Sequence, residues 1–184
     1  MQKSNLIKDT RVGLGIFLLF LVVCLITRPS GLYVNSGISY YSNFPETLLP
    51  YILAFSAASY YVWQFSNIIT HDKRIGYFLR IGFRIVSVFI ILVLLTSGSF
   101  RFFDPFHRTA ATVLFAIQFA MSIAITIYYG DKLSYVLLAL AMIGGYGGLI
   151  YLMQPTGYMI ESQIIFQTSV WALYIRYAKS IGSY

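Results

Sequence analysis

Apolar residues fall along the chain in six runs separated by short polar stretches. They cover approximately Val12–Thr27, Thr47–Thr70, Ile81–Ser97, Thr109–Tyr129, Ser134–Met153 and Ile160–Tyr177. A helix rises about 1.5 Å per residue, so ~20 residues cross a hydrocarbon core of ~30 Å. The pattern predicts an all-α integral membrane protein, a six-transmembrane-helix bundle forming one domain over residues 1–184. The first run is short, and Lys8 and Arg11, either side of Asp9, extend it by snorkelling to the interface. It reads as a retained anchor rather than a signal peptide. Ile26-Thr27-Arg28-Pro29 offers no small-x-small cleavage site close to the apolar run.

Composition agrees with the pattern. Hydrophobic residues make up 58% of the 184 and charged residues 10%, with a mean hydropathy of +0.73. A soluble domain carries about 25% charged residues, so little of the chain is left for one. The single cysteine, Cys24, sits in the first run. That excludes an intramolecular disulfide and a cysteine-rich metal site.

Charge adds orientation. Of the 13 lysines and arginines, Lys3, Lys8, Arg11, Lys73, Arg74, Arg80, Arg84, Lys132, Arg176 and Lys179 fall on one side of a six-span layout. Only Arg28, Arg101 and Arg108 fall on the other. Cytoplasmic ends carry the excess of Lys and Arg, so both termini are expected in the cytoplasm. The acids split evenly, with Asp9, Asp72 and Asp131 inside and Glu46, Asp104 and Glu161 outside. A basic inner face accounts for the net charge of +7 without nucleic acid, and it favours anionic lipid headgroups. A multi-pass protein of the cell membrane is the expected location.

Several local features carry expectations of their own. The long loop Arg28–Glu46, rich in Gly, Ser, Asn and Tyr, is placed to pack over the bundle mouth. His71–Arg80 reads either as an interfacial helix or as a snorkelling extension of the third span. Gly144 and Gly148 form a GxxxG in the fifth run, expected to let helices pack closely inside the bundle rather than across a dimer seam. Tyrosines at span ends, among them Tyr40, Tyr41, Tyr51, Tyr128, Tyr129, Tyr174 and Tyr177, are expected to form an aromatic belt.

Candidate chemistry is sparse. No P-loop, no GxGxxG ahead of a helix and no HExxH is present. Two histidines, His71 and His107, are too few for a multi-histidine metal or haem site in one chain. No metal and no cofactor is expected. The runs are nearly free of ionisable groups, which argues against a proton relay or ion pump. Gln64, Asn67, Gln118, Gln163 and Gln167 are expected to join helices by hydrogen bonds. The outer side is richer, with Glu46 opening the second run, Glu161 opening the sixth, and Arg101, Asp104, His107 and Arg108 on the loop between the third and fourth. Together these six could grip a lipid headgroup, with Arg101 and Arg108 taking a phosphate. His107 as general base could also support acyl or phosphoryl chemistry, although no catalytic residue is assigned. The bland account is that Glu46 and Glu161 offset helix dipoles and that Pro45 opens a helix.

Ile38-Ser39, Phe44-Pro45-Glu46, Phe55 and Tyr60-Tyr61-Val62 resemble the first outer loop and second span of the DRAM/Frag/Sfk family of six-span membrane proteins, with its "IS-D-x-G … PPE" loop. His107-Arg108-Thr109-Ala110-Ala111, running into Phe115, is similar to that family's "H-N-x-G-A … F" opening of the fourth span. Tyr40 stands where the family has an acid, Ala110 replaces a glycine, and Glu161 lacks the adjacent tryptophan of the last span. The resemblance implies Glu46 and His107 as outer-face polar positions. It further implies lipid-related work: membrane lipid organisation, support of lipid-anchor remodelling, or autophagy-linked roles. The expected function is non-catalytic binding or organisation of lipid at the outer face. The alternatives are an accessory subunit packed against another membrane protein or a further copy of itself, and a lipid-modifying enzyme using His107 with Glu46 or Asp104.

Overall fold

In the computed structural model, residues 3–34, 37–69, 74–97, 104–153 and 159–181 are described. Among them the chain forms six α-helices: α1 Lys3–Thr27, α2 Pro45–Ile68, α3 Arg74–Thr96, α4 Asp104–Tyr129, α5 Lys132–Met153 and α6 Met159–Ile181. Two short 3-10 helices, Pro29–Tyr33 and Gly37–Asn43, connect α1 to α2. By length and composition three of the α-helices contain stretches able to cross a membrane: Thr10–Thr27, Ile75–Thr96 and Pro105–Tyr129. A shorter apolar stretch, Lys132–Gly148, runs along α5. All-α architecture with long apolar helices is what an integral membrane protein requires, because helices satisfy their backbone polar groups internally.

The helices begin earlier than the apolar runs do. Arg74–Arg80 is continuous with α3, so this part of the polar stretch extends the third helix; His71, Asp72 and Lys73 lie outside the described residues. Similarly, α4 opens five residues before Thr109, at Asp104. Hydropathy marks the part of a helix that suits lipid, whereas the first turn can be polar and still helical.

Neighbours in sequence are neighbours in space: α1 packs on α2, α2 on α3 and α3 on α4. Helix α6 touches α1 and α4 and closes the ring, and α5 lies outside, mainly against α6. Leu133, Val136, Leu140, Met142, Ile143 and Tyr146 leave α5 broadly exposed along an apolar surface. Contiguous apolar exposure of this kind fits lipid contact.

Aromatic residues fill the centre. Phe83 of α3 meets Phe65 of α2 edge-on at 4.6 Å and Tyr174 of α6 edge-on at 4.6 Å. This corrects the expected belt. Tyr41, Tyr51, Tyr174 and Tyr177 are core residues, none more than 4% exposed. Their rings supply volume between helices that smaller side chains would leave void, and edge-on ring pairs add attraction. Tyr128 is exposed and does suit an interface.

Polar residues within the helices pair with one another. Ser59 and Ser87 exchange side-chain-to-carbonyl hydrogen bonds between α2 and α3, at 3.0 and 2.9 Å. Gln118 and Gln167 exchange amide hydrogen bonds between α4 and α6, at 3.2 and 3.1 Å. Gly144 lets α5 and α6 approach backbone to backbone. A Cβ there would sit 2.5 Å from the Phe166 nitrogen and 2.7 Å from the Ser162 carbonyl oxygen. Gly148, the other half of the GxxxG, faces open space.

Two kinds of end result. At the terminal end, Arg176 of α6 pairs with Asp131 in the α4–α5 turn, and Arg84 of α3 lies over the ring of Trp63 near the end of α2. At the opposite end, here termed the loop end, the α1–α2 connection meets the first turns of α4 and α6.

Candidate functional site

The loop end is built by folding the α1–α2 connection onto the helix ends. Pro29 starts the first 3-10 helix, where its fixed φ and missing N–H cost nothing. Gly37 has φ +59°, a conformation glycine adopts without strain, and it starts the second 3-10 helix against the Gln163 amide. The following Ile38 N–H donates to Gln163 Oε1 of α6 at 2.8 Å. Ser42 Oγ donates to the Ser39 carbonyl at 2.7 Å, and Thr47 Oγ1 donates to the Tyr41 carbonyl at 2.6 Å. Each tether satisfies a backbone group that would otherwise be left without a partner.

Glu46 lies in the first turn of α2 behind Pro45, as its sequence context predicts. Its carboxylate accepts from Arg28 Nη1 at 2.6 Å, with the two side chains 46% and 34% exposed respectively. A hydrogen bond from its own backbone N–H, then one from Arg28, hold the Glu46 carboxyl below its ordinary range. The Arg28 guanidinium sits 3.3 Å from the centre of the Phe44 ring, and its Nε donates to Tyr40 Oη at 3.3 Å. Tyr40 also meets Ser30 Oγ at 3.3 Å; hydrogen bonding to Ser30 and then Arg28 lowers its phenol. The outcome is an exposed ion pair framed by two aromatic rings.

His107, in the first turns of α4, is held at both ring nitrogens. Nε2 is 2.8 Å from Ser39 Oγ, and Nδ1 is 3.2 Å from Thr96 Oγ1 at the end of α3. Behind this pair are buried hydroxyls. Tyr41 Oη lies against Gly31, and neither it nor Tyr51 Oη has a hydrogen-bond partner. Burial pushes the Tyr41 phenol up to about 12, so it stays a neutral donor. Glu161 is partly buried at the start of α6, and its Oε2 atom is fully enclosed without a hydrogen-bond partner.

Of the six residues singled out from sequence, Glu46 and His107 are therefore bonded to one folded connection, through Arg28 and Ser39 respectively, whereas Glu161 makes no hydrogen bond to it through its enclosed Oε2. Arg108 is exposed beside His107. Arg101 lies outside the described residues, as does the side chain of Asp104. Sequence reasoning missed Arg28 as the partner of Glu46, and Ser39 and Thr96 as the partners of His107. The signals pointing at this loop were its Gly-, Ser-, Asn- and Tyr-rich composition and the motif carrying Ile38-Ser39. Among the described residues, no group of three or more His, Cys, Asp or Glu side chains is arranged to hold a metal ion. Comparison with known proteins adds no relative: no family model, no curated protein and no solved structure matches the chain.

Proposed function

We propose that the chain is a six-span membrane protein, with both termini cytoplasmic, whose loop end binds the headgroup of a zwitterionic phospholipid. The observation that carries this is the Arg28–Glu46 pair, opposite charges 2.6 Å apart, still exposed, and flanked by Phe44 and Tyr40. An exposed ion pair contributes little to stability, so it opens readily to a ligand carrying both charges. Arg28 would take the phosphate through its guanidinium fork and Glu46 the ammonium. The aromatic rings would hold a cationic headgroup as Phe44 now holds the guanidinium. Arg108 would add a second cation for the phosphate, and His107 and Glu161 would shape the rim.

Helix lengths support the six spans. The shortest α-helix among the described residues, α5, has 22 residues, about 33 Å at ~1.5 Å each, enough for a core of ~30 Å. Resemblance to the DRAM/Frag/Sfk family points to the same lipid-related work. The test is native mass spectrometry of the purified protein against phosphatidylethanolamine, phosphatidylcholine and phosphatidylglycerol. Retention of the zwitterionic lipids, reduced at least about tenfold in an Arg28→Ala/Glu46→Ala double variant, is expected; tenfold corresponds to 1.4 kcal/mol of binding. Equal retention of all three lipids by both proteins would refute the assignment.

A further inference from the structure

The contacts around His107 support more than binding. Thr96 Oγ1 gives its proton to the Leu92 carbonyl at 2.7 Å, so toward the imidazole it is an acceptor. With Thr96 accepting, His107 Nδ1 donates to it, and in the neutral imidazole Nε2 then presents its lone pair to Ser39 Oγ at 2.8 Å. A hydroxyl donating to an imidazole whose other nitrogen is fixed by a third group is the arrangement of an activated nucleophile. Three separate elements supply the three groups: the second 3-10 helix, α4 and the end of α3. Ser39 is pinned on both sides, through the Ile38 N–H and through its own carbonyl. Ser39 and His107 are both partly exposed, so a reactant can reach them.

Tyr51 is the second, independent observation. Its hydroxyl is buried, has Ser39 and Ser97 as neighbouring hydroxyls, and meets hydrogen-bond geometry with neither. An unpartnered buried donor normally costs stability. Beside a nucleophile it is placed to donate to an oxygen that becomes negative during attack.

We propose that Ser39 and His107 form a nucleophile–base pair, positioned by Thr96, that cleaves carboxylic esters at the loop end. Ser39 Oγ attacks the carbonyl carbon while its proton passes to His107 Nε2. Tyr51 donates to the oxyanion of the tetrahedral intermediate. The intermediate collapses, the ester C–O bond breaks, and the alcohol leaves with the proton from Nε2. Water then attacks the acyl-Ser39 ester, again through His107, to release the acid and restore the serine. One ester and one water give one acid and one alcohol. Thr96 is neutral and stabilises the imidazolium less than a carboxylate would, which places the activity at the slow end for such enzymes. The inference rests on the lipid-binding reading only for its choice of substrate, a lipid carboxylic ester.

The test uses an alkyl fluorophosphonate, which loses fluoride when a serine oxygen attacks phosphorus, on the full-length protein in detergent. A single adduct on the peptide containing Ser39, located by mass spectrometry, is expected. Its rate of formation should fall by about 100-fold or more in His107→Ala, within the usual range for general-base catalysis. Thr96→Val should also slow it, and Thr96→Ser should restore it, which a mere packing role would not produce. Lys132→Ala, at the terminal end, should label as the native protein does. Slow hydrolysis of p-nitrophenyl butyrate should follow the same order. No adduct on Ser39 in the native protein, or an undiminished rate in a helical, folded His107→Ala, would overturn the proposal; His107→Gln serves if the alanine variant does not fold. Lipid retention measured on the same preparation separates the two readings. Retained lipid with no adduct removes only the esterase, and an adduct without retained lipid removes only the headgroup site.

Discussion

Glu46 accepts one hydrogen bond from its own backbone N–H and another from Arg28, and the two together favour its charged form. Because the folded pKa is depressed, the stabilisation is present above the ordinary carboxylate range and is lost as pH falls through the folded value. Glu46→Gln should therefore unfold at a slightly lower temperature than the native protein at pH 7. That difference should shrink toward zero on acidification below the carboxylate range, as followed by circular dichroism in detergent. A difference that persists in acid would mean the glutamine disturbs packing instead. Asp131 behaves the same way at the other end of the bundle. It accepts the Ser134 N–H at 2.8 Å, caps α5 and pairs with Arg176, and these hydrogen bonds lower its carboxyl. The role of Glu46 at a helix start was legible from Phe44-Pro45-Glu46 alone. Its partner was not. Arg28 is 18 residues away, across a connection whose two 3-10 helices have no apolar period to announce them. Ser39 and His107 were hidden for a similar reason, being 68 residues apart and joined only by how the loop folds back.

At the scale of elements, two contacts give contrasting expectations. Gly144→Ala drives a methyl into the backbone of α6, which cannot move aside as a flexible side chain would. Overpacking of this kind costs about 1–3 kcal/mol. Gly148→Ala meets open space and should leave the unfolding temperature unchanged. If both variants unfold alike, the close approach of α5 and α6 is wrong. The paired amides of Gln118 and Gln167 make a second test. Gln167→Leu leaves the buried Gln118 amide short of a partner, a deficit that costs about 1–3 kcal/mol, and Gln118→Leu leaves the half-buried Gln167 amide unpaired at a smaller cost. The double substitution removes both amides, so a thermodynamic cycle should show it costing less than the two singles added. Additive effects would show that the amides do not depend on each other. The helices themselves were readable because lipid-compatible runs must be long and apolar. What the pattern lacked was rotation about each helix axis. Rotation puts Gln118 opposite Gln167, turns Tyr174 and Tyr177 inward, and leaves only one glycine of the GxxxG against a neighbour.

For the whole molecule, the structure separates two ends, and the charges separate with them. Lys8, Arg11, Arg80, Arg84, Lys132, Arg176 and Lys179 belong to the terminal end, while the Arg28–Glu46 pair, the Ser39–His107 contact and the Ile38–Gln163 tether gather at the loop end. If all six helices cross the bilayer, the excess of basic residues places the terminal end in the cytoplasm. Cys24, the one cysteine of the sequence, makes this directly measurable. It is 1% exposed, so a charged maleimide that cannot cross membranes should leave the native protein unlabelled in intact cells. Tyr33→Cys, at a position 76% exposed in the α1–α2 connection, should label from outside without permeabilisation. Cysteines replacing the exposed Lys8, Lys132 and Lys179 should label only after the membrane is opened. Opposite sides for Lys8 and Lys179 would mean an odd number of crossings, which would remove the six-span topology. External labelling at Lys132 together with Tyr33 would mean that α2, α3 and α4 do not make three crossings between those positions. With all three lysine positions inside and Tyr33 outside, Arg28, Glu46, Ser39 and His107 face the outer leaflet, the only side from which the proposed lipid site could draw its ligand.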